Sequence, residues 1–164
     1  MEEEEKENKG VFARVRHYAG EIVVSEVDWV GSKQHGSVTW RYDDGTLFCV
    51  GQHRDDKMQG KWTLWHENGQ KGEEGEWRDD KRHGKTTLWH ENGQKEGEGE
   101  FREGEEHGKW TYWHENGQKK SEGEYRDGKQ HGKWTEWYED GTPMWVMIYD
   151  NGEPGEWLGV PFLG

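Results

Sequence analysis

Cysteine is all but missing from this chain. Cys49 stands alone, which excludes an intrachain disulfide and a cysteine-built metal site. Proline is scarce, three in 164 residues, and no apolar run approaches the roughly 20 residues that cross a bilayer as a helix. The opening MEEEEKENKG is acidic and polar, the reverse of a secretory signal peptide, so a reduced, cytoplasmic setting is expected. Positive charge is outweighed: 22 Lys and Arg against 35 Asp and Glu give a formal net charge of −13. That field repels phosphate backbones and anionic headgroups, so nucleic acid is not expected as a ligand and a membrane partner is disfavoured. Hydrophobic residues make up only 28%, a share that on its own points to disorder, because too little apolar surface offsets chain entropy.

What is present argues the other way. Twelve Trp and 25 Gly recur in register. QGKWTLWHENGQ (Gln59–Gln70), HGKTTLWHENGQ (His83–Gln94) and HGKWTYWHENGQ (His107–Gln118) are near copies, with HGKWTEWYEDGT (His131–Thr142) a fourth and HGSVTWRYDDGT (His35–Thr46) an eroded first. Gly36, Gly60, Gly84, Gly108 and Gly132 fall 24 residues apart without slippage, as do Gly45, Gly69, Gly93, Gly117 and Gly141. The chain is therefore a repeat protein.

Each unit reads as two strands and two turns. Asn68-Gly69, Asn92-Gly93, Asn116-Gly117 and Asp140-Gly141 predict two-residue type I′ turns, since Asn and Gly tolerate positive φ. Arg78–Gly84, Arg102–Gly108 and Arg126–Gly132 predict a looser turn at the other end. No window carries apolar residues at helical spacing, so an all-β chain is expected: about five tandem hairpins in one elongated, open antiparallel sheet. The turn sets the pairing. Trp65 should face Gly72, Thr63 face Glu74, Trp62 face Gly75 and Lys61 face Glu76, with each indole lying on its opposed glycine. Lys61–Glu76, Lys85–Glu100 and Lys109–Glu124 become cross-strand ion pairs worth about 0.2–1 kcal/mol each.

One face then carries Trp62, Leu64, Trp77, Thr86, Leu88, Phe101, Trp110, Tyr112, Tyr125 and Trp134 among Gly75, Gly99 and Gly123. The other carries the row Trp65, Trp89, Trp113 and Trp137, a row of Thr, and the acids Glu74, Glu98 and Glu122. In domain terms, residues 1–10 are expected to be a disordered acidic tail and 11–34 a degenerate N-terminal hairpin or cap. The hairpin repeats occupy 35–152, and 153–164 form an apolar C-terminal cap.

Asp127-Gly128-Lys129, His131-Gly132-Lys133-Trp134, Trp113, Asn116-Gly117-Gln118 and Glu122-Gly123-Glu124-Tyr125 together resemble the variant MORN repeat, over roughly Trp29 to Gly152. The resemblance implies an extended, twisted sheet of successive hairpins with an interaction or scaffolding role. Members of the variant subgroup are often labelled antitoxin-like in bacteria, and some relatives are linked to membranes.

Chemistry is harder to place. His66, His90 and His114 recur at one site and His83, His107 and His131 at another, but equivalent positions lie two strands, about 9.5 Å, apart. A shared zinc needs ligands at about 2.0–2.1 Å, so neither metal nor cofactor is expected. No serine has a repeated base beside it, and an open sheet offers no pocket to desolvate a carboxylate, so no enzyme is expected. Trp65, Trp89, Trp113 and Trp137, with Glu74, Glu98 and Glu122, are instead the candidate partner-binding face, the partner being a basic protein drawn by charge. Stacking of the same Trp row on carbohydrate is the rival reading, and a membrane-associated adaptor a third. The apolar end residues Met144, Trp145, Val146, Ile148, Trp157, Leu158 and Phe162 are expected either to fold over the last hairpin as a plug or to pair with a second copy or a partner.

Overall fold

The computed structural model describes residues 24–160. They form twelve strands: β1 (Val24–Val30), β2 (Lys33–Arg41), β3 (Leu47–Arg54), β4 (Lys57–Trp65), β5 (Lys71–Arg78) and β6 (Lys81–Trp89), then β7 (Lys95–Arg102), β8 (Glu105–Trp113), β9 (Lys119–Arg126), β10 (Lys129–Trp137), β11 (Pro143–Asp150) and β12 (Glu153–Gly159). All lie in one sheet in chain order, each antiparallel to its neighbours, with no helix among the described residues. Five hairpins, β2–β3 through β10–β11, carry the repeated loops, and β1 and β12 add one strand at each edge. β1 falls within the segment expected as a degenerate hairpin and pairs with β2. The expected tail, Val11–Val23 and Phe162 lie outside the described residues.

The two turns of each unit are the reverse of the expectation. At Asn68-Gly69 only Gly69 has positive φ, 81°. Its N–H donates to the His66 carbonyl at 2.9 Å, and the His66 N–H donates to Gln70 at 2.8 Å. This is a three-residue loop, Glu67–Gly69, with the glycine in the bulge position of a G1 hairpin. The same pair of bonds closes the loops at Tyr42, His90, His114 and Tyr138. The two-residue turns with positive φ at both positions lie at the opposite edge. There Asp79 and Asp80 stand at 50° and 67°, Glu103 and Gly104 at 54° and 93°, and Asp127 and Gly128 at 50° and 72°.

The register deep in the strands is nonetheless the expected one. Thr63 faces Glu74, Trp62 faces Gly75 and Lys61 faces Glu76, while Trp65 faces Lys71 rather than Gly72. The loop consumes one residue more than a type I′ turn, and the bulge at Gly72 restores the count. The two departures cancel within three residues.

Among the described residues the core is the aromatic face itself, with no second layer. Trp62, Trp110 and Trp134 are each 1% exposed, beside Val38, Cys49, Phe101 and Val146. Each indole covers a glycine, but not the one opposed within its hairpin. A Cβ on Gly51 would stand 2.1 Å from Trp62, one on Gly99 2.1 Å from Trp110, and one on Gly123 2.3 Å from Trp134. Every one of these glycines lies on the preceding strand, in the preceding hairpin, so the indole ties two repeats together. Edge-to-face contacts continue the chain: Phe101–Trp110 at 5.2 Å, Trp110–Tyr125 at 6.2 Å, Tyr125–Trp134 at 5.0 Å and Trp134–Tyr149 at 6.5 Å.

Residues 153–159 do not fold over the last hairpin as the expected plug. Glu153–Gly159 run in plane as β12 beside β11, leaving Trp157 64%, Leu158 50% and Val160 49% exposed at the edge. Val146 is buried, and Met144, Trp145 and Ile148 are half-buried.

Candidate functional site

The Trp row ends its strands. Trp65, Trp89, Trp113 and Trp137 are the last residues of β4, β6, β8 and β10, all half-buried, and they border the repeated loops. Lysines from the neighbouring repeat stand over three of the rings: Lys71 over Trp89 at 5.5 Å, Lys95 over Trp113 at 5.7 Å and Lys119 over Trp137 at 5.6 Å. The same lysines bond the acidic row. Lys71 reaches Glu74 at 2.7 Å, Lys119 reaches Glu122 at 2.8 Å, and Lys95 pairs with Glu98. Lys61 and Lys109 add second contacts, to Glu74 at 2.9 Å and to Glu122 at 3.2 Å. Although Lys61 opposes Glu76 in register, its ammonium takes the diagonal carboxylate Glu74, and Lys109 takes Glu122 rather than Glu124. Hydrogen bonds from Lys71 and Lys61 hold the Glu74 carboxyl below its usual range. Row and acids thus form one internally neutralised lattice.

The loop edge is different. Glu67, Glu91, Glu115 and Glu139 are exposed, and none shares an ion pair among the described residues. The backbones of the last three are fixed by a ladder between repeats. Asn68 Nδ2 donates to the Glu91 carbonyl at 2.6 Å, Asn92 to Glu115 at 2.7 Å and Asn116 to Glu139 at 2.6 Å. Beside it runs the histidine ladder: His66 Nε2 lies 2.7 Å from the Trp89 carbonyl, with His90 and His114 each 2.9 Å from those of Trp113 and Trp137. A ring N–H facing a carbonyl donates there, which accounts for these histidines as ties between loops. Among the described residues no group of three or more His, Cys, Asp or Glu is placed to hold a metal ion. Asp43 and Asp44 continue the acidic edge, lining a shallow depression with Tyr42 and Glu67.

On the aromatic face the third hairpin breaks the pattern. Thr86 replaces the repeated Trp and is 1% exposed. Arg82 and Glu73 bridge over it at 2.7 Å, and the guanidinium lies 5.5 Å from the Trp77 ring and 5.1 Å from the Phe101 ring. An ion pair between two aromatic walls stands where the indole is missing. Burial pushes the Cys49 thiol up to about 12, so it is a packing residue and a poor nucleophile.

Sequence reasoning therefore placed the Trp row and the acids on one face, and the structure brings them together, but with lysines between them. It missed the loop-edge glutamates, although one stands in four of the five copies of the loop, with Asp43 in the first. It also missed Arg82 and Glu73, which show as departures when the units are aligned with each other.

Tandem hairpins in one open layer, each covering the glycine of the last, define a β-hairpin repeat protein. Residues 82–103, 106–127 and 130–151 each match the MORN repeat variant, so these three tandem units are repeats of that kind. The matched segments are β6–β11; the earlier hairpins keep the same period and loop geometry. Repeats of this kind are non-catalytic modules that mediate interactions with proteins and membranes. No curated protein matches the chain.

Proposed function

We propose that this chain binds a basic protein without catalysing a reaction, as an antitoxin-like neutraliser or a scaffold does. The observation that carries the reading is the loop edge. Glu67, Glu91, Glu115 and Glu139 repeat at two-strand intervals of about 9.6 Å, exposed and without counter-ions among the described residues. Trp65, Trp89, Trp113 and Trp137 border that edge and supply its apolar contact. Glu74, Glu98 and Glu122 act behind them, holding the lysines that pack on the rings. The net charge of −13 speeds encounter with a cationic partner.

The test is an affinity capture from source lysate at low and high salt, with wild type and a Trp89→Ala/Trp113→Ala variant. A basic protein held at low salt, released at high salt and lost with the variant supports the reading. Capture that ignores salt, or no protein captured at all, overturns it.

A further inference from the structure

Among the described residues the sheet stops half-way through a unit. The turn before β12 is the repeated one. Asn151 and Gly152 stand at φ 52° and 88°, and the Gly152 N–H donates to the Gln130 carbonyl at 2.8 Å, as Gly128 donates to Glu106. Trp157 on β12 faces Met147, which stands 24 positions after Gly123, so it holds the place of the core tryptophans in a sixth unit. No strand among the described residues pairs with β12 as β11 pairs with β10, and its outer backbone N–H and C=O groups face none.

Two substitutions set this strand apart. Gly51, Gly99 and Gly123 leave room for an indole, and Trp62, Trp110 and Trp134 above them are buried. Met147 fills the same place, and Trp157 is 64% exposed. Charge is reversed as well. Lys61, Lys85, Lys109 and Lys133 precede the core position in the earlier units, and the first three oppose Glu76, Glu100 and Glu124. Glu156 precedes Trp157, is exposed, and shares no ion pair among the described residues. A strand that completes this hairpin must carry Lys or Arg where the internal second strands carry Glu. The edges of a second copy offer none: β1 carries Glu26 and Asp28, β12 carries Glu153 and Glu156, and neither holds a Lys or Arg.

We propose that β12 is an acceptor strand for β-augmentation: an extended basic segment of a partner protein pairs antiparallel along its outer edge, as the second strand of the sixth hairpin. The internal pairing sets the order of that segment. Gly123, Glu124 and Tyr125 oppose Trp110, Lys109 and Gly108, with the Tyr125 ring 6.2 Å from Trp110. By the same register the partner presents a small residue to Trp157, a cation to Glu156 and an aromatic ring to Gly155, where it closes on the exposed indole. Main-chain bonds supply affinity, and these three positions supply specificity. The inference rests on the basic-partner reading and gives that partner a sequence pattern and a second point of contact.

The experiment is calorimetric titration of the full chain with two end-capped peptides. One carries the Lys119–Arg126 sequence, and the other carries it with Glu122→Lys and Glu124→Lys. Wild type, Glu156→Lys, Trp157→Ala and Glu67→Gln/Glu91→Gln/Glu115→Gln/Glu139→Gln are compared, with folding checked by circular dichroism and amide exchange followed in the complexes. The lysine-bearing peptide should bind wild type at least about tenfold tighter than its parent and slow exchange in β12. Glu156→Lys should cut that preference about tenfold, and Trp157→Ala should weaken binding about tenfold. Equal binding of the two peptides overturns the proposal, as does failure of both to bind. Binding that ignores Glu156 and Trp157 but falls with the loop-edge variant also overturns it, and leaves the loop-edge reading standing. A wild-type dimer in sedimentation that Trp157→Ala dissolves would assign the edge to a second copy instead.

Discussion

Gly99→Ala tests the packing between repeats at a single atom. The added Cβ would stand 2.1 Å from Cδ2 of Trp110, and 2.2 and 2.5 Å from two further indole atoms. Carbon atoms settle near 3.5 Å, so the indole must retreat by about 1.4 Å. It has little freedom to do so, being 1% exposed and in contact with Phe101, Tyr112 and Tyr125. Overpacking of this kind costs about 1–3 kcal/mol, offset by about 0.4–1 kcal/mol because alanine narrows the unfolded ensemble. A net loss of about 1–2 kcal/mol follows, or about 0.5–1 M in urea midpoint at a slope of about 2 kcal/mol/M. Gly123→Ala, at 2.3 Å from Trp134, should match it. Gly75→Ala is the internal control, since its Cβ meets only the Thr86 hydroxyl closely, at 2.7 Å, and should cost under about 1 kcal/mol. Urea unfolding followed by tryptophan fluorescence gives all three. If Gly75→Ala costs as much as Gly99→Ala, the indole-over-glycine account of repeat coupling is wrong.

Three other perturbations follow from the same geometry. Arg82→Met strands Glu73, whose side chain is 12% exposed, and should cost about 1–3 kcal/mol by thermal melting; adding Glu73→Gly should recover part of that loss. His90→Ala removes the tie from the third hairpin's loop to the Trp113 carbonyl and should cost about 0.5–1.5 kcal/mol, with faster amide exchange confined to the neighbouring loops. The folded Glu74 carboxyl is held below its unfolded value of 4.5 by Lys71 and Lys61, so its contribution is complete above that pH and lost as pH falls through the lower folded value. Urea midpoints of Glu74→Gln should therefore fall less than those of wild type between pH 6 and pH 3 (values near the ordinary carboxylate range).

The period, the single sheet and the two faces were legible because a 24-residue repeat in strict register leaves few ways to pair. Turn chemistry was not. Asn68-Gly69 is the familiar signal for a two-residue turn, yet Glu67 joins the loop and Gly72 bulges to compensate, which a residue count does not reveal. Nor does a sequence say toward which neighbouring strand an indole leans. Trp110 opposes Gly123 in register and covers Gly99 instead. Long lysine side chains hid the ion pairs for the same reason: Lys61 reaches past its opposed residue to a diagonal one. At the C-terminus, TPMWVMIY read as a surface in need of cover, and the chain supplied a further strand, β12, which moves the exposed apolar residues outward to Trp157, Leu158 and Val160.

The central claim is recognition of a cationic partner by the exposed carboxylates on the loop edge. Its most direct measurement is the affinity of the captured protein for a Glu67→Gln/Glu91→Gln/Glu115→Gln/Glu139→Gln variant with an unchanged melting temperature. Affinity should fall at least about tenfold, and its dependence on salt should flatten. Unchanged affinity in a folded variant would contradict the account.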